Sequence, residues 1–85
     1  MTRHIPASER IQKAWKLIQQ ARDLPIPEEG GKYNFSYIAK VKALLQDARD
    51  LVKFISKTPS ATREMKEEVN RIFQATETAD REILH

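Results

Sequence analysis

No cysteine occurs in the sequence, which removes a disulfide framework and any thiolate metal site, so stability must come from packing. Histidine is nearly absent as well. His4 and His85 are the only two, one towards each end of the chain, and neither position suits a preorganised acid–base or metal site. Glycine occurs only as Gly30-Gly31 in "PEEGGK". A phosphate loop needs more glycines, a preceding strand and a Ser/Thr after the lysine, so this pair reads as a flexible turn. No run approaches the ~20 apolar residues of a membrane span, and "MTRHIPASER" is too polar for a signal peptide. The first 22 residues carry Arg3, Arg10, Lys13, Lys16 and Arg22 against Glu9 alone, as a mitochondrial presequence would, but these residues have a better use in a helix. The expectation is a cytoplasmic protein without a membrane segment.

Strand signals are scarce too, with no Asn-Gly or Asp-Gly turn and few β-branched runs. What the chain does have is helical periodicity. Ile38, Val41, Leu45, Ala48, Val52 and Ile55 follow an a/d heptad pattern, with Leu44 and Leu51 beside it at the g position. The segments "KAWKLIQQARDL" (13–24) and "KVKALLQDARDL" (40–51) match at seven of twelve positions at an offset of 27 residues. That offset carries Ile11, Ala14, Ile18 and Ala21 onto Ile38, Val41, Leu45 and Ala48, and Leu17 and Leu24 onto Leu44 and Leu51. The repeated letters are seam and flank positions in one phase, and none is catalytic. The repeat therefore concerns packing. Met65, Val69, Ile72, Thr76, Ala79 and Ile83 continue the pattern in a third segment. Thr76 stands where an apolar residue is expected, and its hydroxyl can bond back to a carbonyl one turn earlier.

These patterns predict an all-α, three-helix bundle in a single domain spanning 1–85, with helices over about 7–23, 35–57 and 59–84. Pro6 suits a first helical turn, and Pro25 and Pro27 stop the first helix. Asn34 or Ser36 can cap the second, and Thr58 can cap the third with Pro59 in its first position. A short connection makes the last two helices an antiparallel hairpin. The Pro/Gly-containing linker 24–34 reaches about 35 Å, enough to return the first helix along a 20-residue helix of about 30 Å. An up-down-up bundle is the default, and a dimer or swapped dimer is its competitor.

Net charge is +3. Residues 1–59 hold eleven Lys/Arg and six Asp/Glu, for +5, while 60–85 hold four and six, for −2. Such asymmetry can orient two copies or attract nucleic acid. On the second helix Lys42, Arg49, Lys53 and Lys57 form one row with Gln46, a candidate for sequence-blind phosphate binding. Tyr33, Phe35 and Tyr37 in "KYNFSY" read as a cluster closing one end of the bundle, with stacking on single-stranded bases beside Lys32 and Lys40 as the alternative. Glu64, Glu67 and Glu68 fall off the seam near a helix start and read as a solvated face, with Glu67 and Arg71 spaced for an ion pair.

Phe54 faces away from the seam, and with Leu17, Leu24, Leu44, Leu51, Ile26 and Phe73 it gives more large apolar groups than one seam requires, a surplus for the linker or another molecule to cover. Burying one such side chain stabilises by about 1.5–3 kcal/mol, so a second apolar surface should be covered. The sequence thus points to a non-enzymatic helical interaction or scaffolding module without a cofactor, metal or catalytic group. Its expected partner is itself, another protein, or both, through Trp15, Leu17, Leu24, Leu51 and Phe54. The alternative is a nucleic-acid-binding accessory protein that uses Lys42, Arg49, Lys53 and Lys57.

Overall fold

The structure, a computed structural model, describes residues 5–85, and within them it is a bundle of three helices without strands. Helix α1 spans Ala7–Asp23, α2 spans Phe35–Val52 and α3 spans Arg63–Leu84. Each helix packs against both others. Arg22 of α1 meets Glu82 of α3 at 2.9 Å, and Trp15 meets Glu68 at 3.1 Å, so α1 and α3 run in the same direction. Lys42, early in α2, lies 3.7 Å from Asp80, late in α3, which makes that pair antiparallel. The order is up-down-up, with α1 folded onto its own hairpin.

The core is the seam the heptads describe. Ala14, Ile18 and Ala21 from α1, Val41, Leu45, Ala48 and Val52 from α2, and Val69, Ile72 and Ala79 from α3 are all buried. Ile11, Met65 and Ile83 sit half-buried at its ends. Thr76 is buried among them, and its Oγ1 donates to the carbonyl of Phe73 at 2.7 Å, which satisfies the hydroxyl inside the helix.

Helix ends differ from the sequence limits in two places. The second helix stops at Val52 rather than 57, and Ile55–Lys57 form a separate 3₁₀ turn that still delivers Ile55 to the core. The third helix starts at Arg63 rather than 59. Thr58 does not cap it, because its hydroxyl donates back to the carbonyl of Phe54 at 3.1 Å. Thr62 caps instead, its Oγ1 accepting from the Met65 N–H at 3.1 Å. At the other junction Leu24 is extended (φ −58°, ψ 130°), as the residue before Pro25 must be.

Between α1 and α2 the linker forms a defined turn. Gly30 has φ +82°, a left-handed conformation that favours glycine, and a Cβ there would sit tightly, 3.3 Å from Asn34 Cα. Asn34 caps α2 by accepting from the Tyr37 N–H at 3.1 Å, while its Nδ2 donates to the Glu29 carbonyl at 2.9 Å. Asn34→Ala removes both bonds. Its expected cost is about 1–2 kcal/mol, read as a lower urea midpoint at unchanged slope; a loss indistinguishable from zero would show that the cap does not hold the turn.

Candidate interaction surface

Outside the core, four half-buried leucines lie on the face of the α1–α2 pair that points away from α3. Leu17 lies on α1 and Leu24 just past its end, seven residues on, and Leu44 and Leu51 are two turns apart on α2. Because the helices are antiparallel, Leu24 shares a shallow hollow with Leu44, and Leu17 shares a second one with Leu51. The first hollow is edged by Lys40 of α2 and by Gln20 and Asp23 of α1. The second is edged by Arg10 and Lys13 of α1 and by Asp47 and Asp50 of α2. Gln46 and Lys53 donate to the Asp50 carboxylate at 2.9 and 3.3 Å and hold its pKa below the ordinary value. Asp47, by contrast, has no ion-pair partner among the described residues.

Three of the five residues expected at an interface, Leu17, Leu24 and Leu51, come together here. Leu44 belongs with them, although the expected set lacks it; the repeat, which lays Leu44 on Leu17, carries that signal. Phe54 follows one turn beyond Leu51 and is 60% exposed, with the Lys53 ammonium 5.2 Å from its ring centroid. Trp15 lies elsewhere. It occupies the α3 side of α1, where its indole N–H donates to Glu68 Oε1. Glu68 also accepts from Arg71 of its own helix at 3.3 Å, while its bond to Trp15 ties α1 to α3. Glu67 pairs with Arg71 as its spacing suggests, at 4.0 Å.

The linker aromatics divide. Tyr37 is buried in the core, whereas Tyr33 and Phe35 are 73% and 89% exposed. In a helix, side chains two residues apart point in nearly opposite directions, so Phe35 cannot join Tyr37 inside.

The basic row on α2 is taken up largely by its own fold. Lys42 faces Asp80, Arg49 lies over the Phe73 ring at 5.6 Å, and Lys53 pairs with Asp50 at 3.3 Å. Lys57 sits beyond α2, in the 3₁₀ turn. The hollow between α2 and α3 that Lys42 and Arg49 border also holds Glu77 and Asp80, so its charge is mixed. His85 Nε2 approaches Asp80 at 3.9 Å, a contact that is ionic only when the imidazole is protonated. Thr76, which also lines this hollow, gives its hydroxyl proton to the Phe73 carbonyl. Among the described residues no group of three or more His, Asp or Glu is placed to hold a metal ion, and no helix is long and apolar enough to cross a membrane. His4 lies outside the described residues. Comparison of the chain with protein families, with curated proteins and with solved structures finds no match.

Proposed function

We propose that this protein is a non-enzymatic, cytoplasmic helical module that acts by binding other proteins, itself first among them, through the outer face of the α1–α2 pair. One observation carries the reading: Leu17, Leu24, Leu44 and Leu51 line two neighbouring apolar hollows, edged by charge, that no element among the described residues covers. A bundle that stood alone would gain by placing polar residues at heptad g positions on its outer face.

Sedimentation equilibrium from micromolar to several hundred micromolar tests this. The wild-type chain is expected to associate reversibly. Leu44→Asp, at a half-buried site on that face, is expected to weaken association by at least about tenfold, since one buried leucine is worth about 1.5–3 kcal/mol. Its helical circular dichroism should be retained. A wild-type chain that stays monomeric throughout, or association that Leu44→Asp leaves unchanged, overturns the proposal. Nucleic-acid binding through the α2 row is the weaker reading, because Lys42, Arg49 and Lys53 are already engaged by Asp80, the Phe73 ring and Asp50.

A further inference from the structure

The 27-residue repeat and the antiparallel packing of α1 and α2 together give the outer face an internal symmetry. The offset maps Leu24 onto Leu51, Asp23 onto Asp50 and Gln20 onto Asp47, while Leu17 maps onto Leu44 and Lys13 onto Lys40. Those residues line the two hollows: Leu24, Leu44, Lys40, Gln20 and Asp23 in one, and Leu51, Leu17, Lys13, Asp47 and Asp50 in the other. Each hollow is thus an approximate copy of the other, related by a local two-fold axis that passes through the middle of the face. Along each helix the rim runs from basic to acidic in chain direction: Arg10 and Lys13 to Asp23 on α1, and Lys40 to Asp47 and Asp50 on α2. At each level along the pair, therefore, one rim is positive where the facing rim is acidic.

The geometry points to a second copy of this chain as the occupant of the face, docked with α1 of each copy lying across α2 of the other. This rests on the self-association reading above and adds the arrangement. A two-fold axis parallel to the helices preserves level, so the Leu24/Leu44 hollow meets the same hollow of the partner, and the Leu17/Leu51 hollow likewise. Lys13 then faces the partner's Asp47, and Lys40 faces the partner's Asp23, each contact occurring twice. Every helix in the resulting four-helix layer runs antiparallel to its neighbours. The rival arrangement, α1 across α1, also pairs opposite charges, but unevenly: it sets Arg10 and Lys13 against Asp23 alone, and Asp47 and Asp50 against Lys40 alone. Level-preserving docking instead sets Arg10 and Lys13 against Asp47 and Asp50, so the facing rims match in number as well as in sign.

Size sets the strength. A 17-residue α1 is about 26 Å long and two helices are about 20 Å across, so the face offers roughly 500 Å² per copy, near the lower limit for specific association. A reversible dimer with a dissociation constant on the order of ten micromolar is the expected outcome.

Charge reversal with mixing tests the arrangement. Lys13→Glu and Asp47→Lys are made separately; both side chains are at the surface, and circular dichroism checks that each variant folds. Alone, Lys13→Glu sets acid against acid twice and Asp47→Lys sets base against base twice, so each is expected to dimerise about tenfold more weakly than wild type at low salt. An equimolar mixture of the two restores both contacts, and its heterodimer should approach wild-type affinity. In the rival arrangement the mixture stays weak, because two repulsive contacts survive in it. The glutamate introduced by Lys13→Glu meets Asp23 of the other chain, and the lysine introduced by Asp47→Lys meets Lys40. If wild type dimerises and Leu44→Asp dissociates it, but mixing restores nothing, the docking arrangement is wrong while self-association stands. A monomeric wild type overturns both.

Discussion

Ile72→Ala lowers the free energy of unfolding by about 2–5 kcal/mol, the range for deleting a large branched side chain from a close-packed site. Ile72 is completely buried and is one of the largest side chains in the molecule to be so. It is α3's central contribution to the seam, between Val69 and Thr76. At about 0.05–0.15 kcal/mol per residue the whole chain is stable by roughly 4–13 kcal/mol, so this single change removes a large fraction. Urea unfolding should show the loss as a lower midpoint with the slope retained. Ile26→Ala is the matched control: Ile26 is 65% exposed, and its replacement should move stability by no more than about 0.5 kcal/mol. A loss at Ile72 as small as the control's would mean that α3 does not pack on the other two helices.

The positions legible in the sequence are those fixed by a period. Every a/d residue assigned from the heptads between Ile11 and Ile83 is buried or half-buried, because in a three-helix bundle one phase decides burial for a whole helix. Helix ends are less legible because they turn on a choice between chemically equal candidates. Thr58 and Thr62 cap equally well in principle. What separates them is tertiary: Ile55 has to reach the core, the chain tightens into a 3₁₀ turn to bring it there, and Thr58 is left bonding that turn. The aromatic cluster divides for a reason readable only once the start of α2 is placed, since the helical turn between them then sends Tyr37 in and Phe35 out. For Trp15, size alone suggests an interface, and size carries no direction. Its neighbours along the helix, Ala14 and Ile18, turn it towards α3, where Glu68 completes its hydrogen bonding.

Ala48→Leu and Ala21→Leu test the other large term, the closeness of α1 and α2. Ala14, Ala21 and Ala48 have no exposed surface at all. Ala21 and Ala48 are equivalent under the repeat and lie at about the same level, midway between the two leucine hollows. Their small size is what lets the two backbones approach, and close-packed interiors leave no room for the extra carbons of a leucine. Either substitution is expected to cost about 1–3 kcal/mol or more through displaced helices and off-rotamer side chains. The two should not be additive, because once one leucine has parted the helices the second meets less resistance. Parting the helices also spreads Leu17 from Leu51 and Leu24 from Leu44. Association should therefore weaken in both variants even though neither residue touches solvent, and Ala48→Leu measured by unfolding and by sedimentation should lose on both scales. If it unfolds like the wild type, α1 and α2 are not in contact at that level, and the symmetric face between them does not exist.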